Sequence, residues 1–136
     1  MTRVLTAAVL ACVTIAAACR ARADRPSPPS TETKVAYRTV GSWSGRGNRQ
    51  TESFDSDSGA LRIRWETRDE TSPGQGVFRL RAHSAISGRL LQDVVEQNGP
   101  GNGVAYVQQD PHVFYLVVES DQLDWAFTVD EATVYR

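Results

Sequence analysis

The sequence predicts an all-β fold, an antiparallel β-sandwich of seven to eight short strands, and three observations support this prediction. First, apolar and polar residues alternate with period two in several segments from Val35 onward, as in strands with one buried face. Second, clusters rich in Gly, Pro, Asn and Ser separate these segments, as expected of turns. Third, Val35 to Arg136 span about one hundred residues, the usual size of one domain. Short strands with regularly spaced turns are typical of a sandwich or jelly roll.

The alternation is clearest in two segments, Leu61–Trp65 and Phe78–Ala82. In each segment, apolar residues occupy every second position and arginines stand between them, so each strand has one apolar and one charged face. The turn cluster Glu70–Gly76 separates the two strands, and we therefore predict that they form an antiparallel hairpin. Trp65 completes the apolar face of the first strand and is predicted to lie in the core.

The remaining strands are predicted from shorter patterns. The segment Val113–Val118 is apolar at every position, which predicts a central strand covered on both faces. Leu90–Val95 fits helical spacing as well as strand spacing, and its short length between Gly88 and Gly99 favours a strand. In addition to Leu90–Val95, strands are predicted over Ala36–Val40, Gln50–Phe54, Val104–Gln108, Val113–Glu119 and Trp125–Val129.

Residues 1–18 are predicted to be a secretory signal peptide. Arg3 precedes the uncharged apolar run Val4–Ala18, and small residues stand immediately before Cys19. A run of about fifteen residues is too short for a transmembrane helix. Residues 19–34 lack large apolar side chains and contain three prolines, which predicts an extended tether. The β-sandwich domain is predicted over residues 35–136.

The segment Ile15–Cys19 resembles the lipobox of bacterial lipoprotein signals. The resemblance implies cleavage before Cys19, acylation of this residue, and attachment of the exported protein to a membrane of the cell envelope. Cys12 lies too close to the first residue for that role. The alternative is a free periplasmic or secreted protein cleaved at Ala21–Ala23, where small residues flank an arginine. In either case at most one cysteine remains, so a structural disulfide is excluded.

Charge and motifs exclude several classes of function. The net charge of −1 argues against a nucleic-acid partner, because phosphate binding relies on a surplus of basic residues. Gly41–Gly45 has the outline of a nucleophile elbow, but Trp43 stands where that motif requires Ser. His83 and His112 do not form a metal-spaced pair. The sequence therefore predicts no enzymatic activity.

Arg62, Arg64, Arg79 and Arg81 are predicted to lie together on one outward face of two adjacent strands. Like charges opposite each other on a sheet repel, so this cluster needs compensating charge. Residues 90–135 carry eight acidic residues and neither Lys nor Arg. Two alternatives follow. Either these acids pair with the arginines in a surface ladder, which we favour, or an external anion binds the cluster.

Five strand segments share a second kind of likeness: Trp43–Gly47, Thr51–Phe54, Leu61–Trp65, Phe114–Val118 and Trp125–Phe127. Together they resemble the small β-sandwich modules of bacterial envelope proteins, which include CUB-like and prepeptidase C-terminal domains. The resemblance implies a jelly-roll or CUB-like sandwich that binds or spaces other components without catalysis.

Calcium is the one cofactor that the sequence leaves open. Asp55 and Asp57 stand two residues apart before Gly59, and CUB-like modules sometimes bind calcium through loop carboxylates. The same residues are typical of an ordinary turn, because Asp, Ser and Gly tolerate tight backbone angles. We favour the turn.

The sequence thus predicts a cell-envelope lipoprotein with a non-catalytic binding or scaffolding module, anchored to the membrane through Cys19, with an unidentified protein or glycan ligand. The alternative is a carbohydrate-binding module that uses exposed aromatic side chains. A hydrolase accessory protein or an enzyme is a more distant alternative. The aromatic candidates are Tyr37, Trp43, Tyr106 and Tyr115.

Overall fold

A computed structural model describes residues 32–135, which form nine antiparallel strands and, within that range, no helix. The predicted signal peptide, Cys12, Cys19 and most of the predicted tether lie outside the described residues. No helix in the described part of the chain is long and apolar enough to cross a membrane. The strands are β1 (Lys34–Arg46), β2 (Arg49–Gln50), β3 (Phe54–Ser56), β4 (Ala60–Arg68), β5 (Val77–Ser84), β6 (Leu90–Asn98), β7 (Gly101–Gln108), β8 (His112–Asp121) and β9 (Asp124–Tyr135).

The strands form two packed sheets, which confirms the predicted β-sandwich. Sheet A has the order β1-β9-β4-β7, and sheet B has the order β2-β8-β5-β6, with β3 also paired to β8. Because β2 and β3 both pair with β8, they can be counted as one interrupted strand. The result is eight strands in two four-stranded sheets, the arrangement of a jelly roll.

The predicted hairpin between Leu61–Trp65 and Phe78–Ala82 is wrong. The first segment lies in β4, which pairs with β7 and β9 in sheet A, whereas the second lies in β5, which pairs with β6 and β8 in sheet B. Period-two alternation identifies a strand with one buried face but does not assign it to a sheet. The connection around Glu70–Gly76 crosses between the sheets, and it is held there by a hydrogen bond from Thr71 N–H to the Gln122 carbonyl oxygen (3.0 Å).

The core lies between the inner faces of the two sheets. It contains three fully buried phenylalanines, one each from β5, β8 and β9, together with aliphatic side chains of both sheets. Aromatic rings connect the sheets: the ring centroids of Trp43 and Phe54 are 6.1 Å apart, and those of Phe78 and Trp125 are 6.3 Å apart. Since no cysteine is present in the described domain, this apolar packing is the main source of its stability.

The three tryptophans of sheet A each pack over a glycine on the inner face. Trp43 lies over Gly41, Trp125 over Gly45, and Trp65 over Gly103; a Cβ on Gly103 would stand 2.9 Å from the Trp65 ring. Large rings commonly fill the space left by a strand glycine in this way. Trp65 faces inward and packs against the core as predicted, but it is only partly buried, because its neighbour Gly103 lies on edge strand β7 and offers no side chain to cover it.

Other strand predictions are confirmed with changes at their ends. Leu90–Val95 is a strand, part of β6. Gln50–Phe54 is not continuous, because residues 51–53 leave the sheet between β2 and β3. Val113–Val118 lies between two neighbours in sheet B, but only every second side chain is buried. The prediction that both its faces are covered is wrong, because a sandwich covers one face of each sheet.

Candidate functional site

The outer face of sheet A carries most of the large hydrophobic side chains that are exposed in the described residues. Eight such side chains are exposed in residues 32–135. Because side chains alternate along a strand, the sheet register places five of them on this one outer face. Clustered apolar surface of this kind is typical of interaction sites. The five are Val35, Tyr37, Val104, Tyr106 and Val134.

Tyr37 and Tyr106 stand on opposite edge strands of sheet A and line a cavity of about 270 Å³. Their side chains are 42% and 54% exposed. Two central strands separate them, so their backbones are about 14 Å apart. The cavity is also lined by Ala60 and Ala132, small residues of those central strands that leave the space open. We call this feature the aromatic cleft.

Next to the aromatic cleft, one buried carboxylate holds two guanidinium groups. Asp130 accepts hydrogen bonds from Arg62 Nη2 (2.9 Å), from Arg64 Nε (3.0 Å) and from the Thr39 hydroxyl (2.9 Å). The three strands β1, β9 and β4 bring these residues into adjacent register positions. Burial by itself raises the pKa of the Asp130 carboxyl, but the bonds from Arg62, Thr39 and Arg64 outweigh it and leave that pKa below its ordinary value.

The arginine pair, Arg62 and Arg64, uses only part of its donor capacity on Asp130. Each guanidinium approaches through Nε and Nη2. An arginine has five N–H donors arranged as a planar fork, so the Nη1 edge of each remains directed away from Asp130. The Arg62 guanidinium also lies over the Tyr37 ring, 3.7 Å from its centroid. This contact links the arginine pair to the aromatic cleft.

A polar groove of about 390 Å³ continues beyond the arginine pair on the same face. Arg64 lines its near end, and Glu66 and Asn102 line it further along. The hydroxyl groups of Ser42 and Thr128, 2.9 Å apart, lie on its surface. The groove forms because side chains on central β9 and edge β1 are small here, while those of β4 are long.

The four predicted anion-binding arginines do not share one face. Arg62 and Arg64 lie on sheet A, while Arg79 and Arg81 lie on the outer face of sheet B, so their predicted proximity is wrong. Each of the four arginines has an acidic partner on its own sheet, as the surface ladder would require. On sheet B the acids outnumber the bases: Arg81 pairs with Asp93 at 3.0 Å and Glu119 at 3.2 Å, and Arg79 pairs with Glu96 at 3.8 Å.

The loop proposed for calcium is fixed by a different carboxylate. Glu131, 1% exposed, accepts hydrogen bonds from the Ser56 hydroxyl (2.8 Å), the Ser58 backbone N–H (3.0 Å) and Arg38 (2.5 Å). Burial by itself raises the pKa of the Glu131 carboxyl, but the bonds from Arg38, Ser58 and Ser56 lower it to about 2. Asp55, just before Ser56, and Asp57, between the two serines, are both exposed. Within residues 32–135, no group of three or more His, Cys, Asp or Glu side chains could hold a metal ion.

Both histidines make local contacts in or beside sheet B. His83 stacks on Tyr115 with ring centroids 5.1 Å apart. His112 Nε2 lies 2.6 Å from the Ser84 hydroxyl. Ser84 is buried and its oxygen also accepts the backbone N–H groups of Ile86 and Ser87. This serine therefore caps a turn, and its oxygen is not presented to a substrate.

The four aromatic candidates lie in three different places in the structure. Tyr37 and Tyr106 share the aromatic cleft, whereas Trp43 is a core residue and Tyr115 lies on sheet B. The sequence offered Asp130 only as one of the eight acids that could pair with the arginines, and it did not identify the polar groove. The available signal was the pair of adjacent acids, 130 and 131, that interrupts the alternation of β9.

No protein-family model matches the chain, and neither the curated proteins nor the solved structures contain a match to it. By its fold, the described domain is an all-β jelly roll. The function of the protein is therefore inferred from the geometry of sheet A.

Proposed function

We propose that this protein is a lipoprotein of the bacterial cell envelope whose jelly-roll domain is a non-catalytic binding module. In this proposal Cys19 is the acylated first residue of the mature protein, and the ligand binds the outer face of sheet A. The lipobox-like segment Ile15–Cys19 supports the anchor. The observation that carries the binding role is the concentration of exposed apolar and aromatic side chains on one face, next to the arginine pair.

This concentration is not explained by folding. The core is closed by the inner faces of the two sheets, and the outer side chains of sheet A do not contribute to it. Tyrosine at an exposed site offers a rigid apolar ring with a polar tip, which suits it to contact a ligand. Cavities beside such rings are typical of binding sites rather than of plain surface.

The binding role is tested with the full chain carrying Cys19→Ser, which keeps it free of lipid. We expect this protein to be retained on washed, insoluble envelope material of the source cells. Combined Tyr37→Ser and Tyr106→Ser substitutions should reduce retention by about tenfold or more, because they remove the central aromatic contacts. Tyr115→Ser, on the opposite sheet, is the matched control and should leave retention unchanged. Equal retention of all three proteins would contradict the proposal.

The anchor is tested with the unmodified chain. Two or three acyl chains hold a protein firmly at a membrane, so the native protein should partition into detergent, and Cys19→Ser should move it to the aqueous phase. Intact mass should show a lipid-modified chain that begins at Cys19. A lipid-free mature chain that begins at Asp24 would show free secretion instead.

A further inference from the structure

The charge of the arginine pair is incompletely neutralised. On the outer face of sheet A, two guanidinium groups share the single carboxylate of Asp130. On sheet B the ratio is reversed, since Arg81 alone contacts two carboxylates. The arginine pair is therefore a place on the outer face of sheet A where a further anion gains from binding.

The geometry of the arginine pair suits a carboxylate in particular. With the Nε and Nη2 atoms directed to Asp130, each Nη1 is left facing away from it. Arg64 is 53% exposed along its side chain and also lines the polar groove. A planar carboxylate can accept two parallel hydrogen bonds from such an edge.

The arginine pair lies between two features that suit sugar rings. On one side is the aromatic cleft, where the Tyr106 ring and the face of the Tyr37 ring that Arg62 does not cover can contact the apolar C–H faces of a sugar. On the other side is the polar groove, where Ser42, Thr128 and Asn102 offer donors and acceptors to hydroxyl groups. Along β9 the distance from Ala132 to Ala126 is about 20 Å at the usual rise of a strand. This surface is long enough for several linked sugars.

We propose that the outer face of sheet A binds a polysaccharide whose sugars carry carboxylate groups. One carboxylate binds the free edges of the arginine pair, one or more rings stack in the aromatic cleft, and hydroxyl groups bond in the polar groove. The inference rests on the proposed function, because it names the ligand class of the same face. Two other ligands fit this face less well. A flat membrane surface would not fill the aromatic cleft and the polar groove, and a neutral glycan would not pair with the charge of the arginines.

The test compares two probes that differ only in charge: oligogalacturonate, and the same oligosaccharide with its carboxylates reduced to alcohols. The protein is the full chain with Cys19→Ser, and binding is measured by calorimetry at low and moderate salt. We expect the acidic oligosaccharide to bind about tenfold or more tightly than its neutral form, since charge-assisted hydrogen bonds are lost with the carboxylate. The difference should shrink as salt rises.

The variants locate the site. Combined Arg62→Gln and Arg64→Gln should weaken oligogalacturonate binding by about tenfold or more, whereas Arg79→Gln with Arg81→Gln, the matched pair on sheet B, should leave it within about twofold. If the first double variant fails to fold, Arg64→Lys keeps the charge beside Asp130 but removes the planar fork, and should still weaken binding. Equal losses in the two arginine pairs would show general charge attraction and overturn the inference.

Further probes distinguish an error in the proposed ligand class from an error in the proposed binding face. The arginine pair could instead bind phosphatidylglycerol vesicles or a polyglutamate peptide, while oligogalacturonate does not bind. That result would overturn the inference that the ligand is a polysaccharide, and it would identify the ligand as a membrane or an acidic protein. In another outcome, oligogalacturonate does not bind even at low salt, but Tyr37→Ser with Tyr106→Ser still abolishes envelope retention. In that case the inference of a carboxylated sugar is wrong, and the proposed binding face is retained.

Discussion

The buried carboxylate of Glu131 gives a prediction whose size follows from the structure. Glu131→Gln keeps the shape of the side chain and one oxygen for Ser56 and Ser58, but it removes the charge and the bond to Arg38. We expect the variant to fold and to be less stable near neutral pH. The loop of residues 56–59 should become more mobile, because its serines then bond to a neutral acceptor.

The pKa of Glu131 sets the magnitude and the pH range. It falls from 4.5 to about 2 on folding, so the charged form is favoured in the folded state. The resulting stabilisation is fully present above the unfolded value, and it is lost as pH falls through the folded value. A shift of this size corresponds to at most about 3 kcal/mol. Because glutamine retains part of the hydrogen bonding, the expected loss is about 2 kcal/mol near pH 7.

Urea unfolding followed by tryptophan fluorescence measures this loss. The difference in unfolding free energy between the native protein and Glu131→Gln should be about 2 kcal/mol near neutral pH and should approach zero near pH 2. Asp130 also has a lowered pKa, but both proteins contain it and the substitution leaves its partners in place, so the difference between the proteins reports on Glu131. Glu96→Gln, at an exposed ion pair on sheet B, is the control and should change stability by less than about 0.5 kcal/mol. A difference that stays constant over this pH range would show that the charge of Glu131 does not stabilise the fold.

Two further predictions concern packing. Trp65→Ala should lower the free energy of unfolding by about 2 to 3 kcal/mol, a small loss for a tryptophan, because the ring is only partly buried. An unchanged melting temperature would show that the ring does not support the core. Gly59→Ala should cost at least about 3 kcal/mol, because its Cβ would lie 2.2 Å from the Gln109 carbonyl oxygen. Gly74→Ala is the matched control: Gly74 has a similar positive φ but open space around it, so the substitution should cost only about 1 kcal/mol of unfolding free energy. Similar losses at the two glycines in thermal unfolding would disprove the proposed clash.

The sequence was sufficient to predict the strands because their burial is local. Leu61, Ile63 and Trp65 face inward and Arg62 and Arg64 face outward, as the alternation indicates. The length of β1 was underestimated because Gly41 and Gly45 resemble turn residues. In the structure these glycines lie within the strand and are covered by tryptophan rings. Strand glycines of this kind cannot be distinguished from turn glycines before the packing is known.

Strand pairing and the candidate site could not be predicted, because they depend on contacts between distant segments. A loop as long as Glu70–Gly76 does not impose hairpin pairing in the way a two-residue turn does. In the structure it leads from sheet A to sheet B and separates the arginines of β4 from those of β5. Asp130 is 68 residues from Arg62, and nothing in the local pattern of either strand specifies that pairing.

Mapping of backbone amide shifts locates the bound oligosaccharide on the protein. The ¹⁵N-labelled full chain with Cys19→Ser would be titrated with oligogalacturonate and followed by two-dimensional NMR. We expect the shifted resonances to cluster on the outer face of sheet A, at Arg62, Arg64, Tyr106 and Thr128. Shifts centred on Arg81 and the neighbouring residues of sheet B, with those of sheet A unchanged, would show that the binding face is wrong.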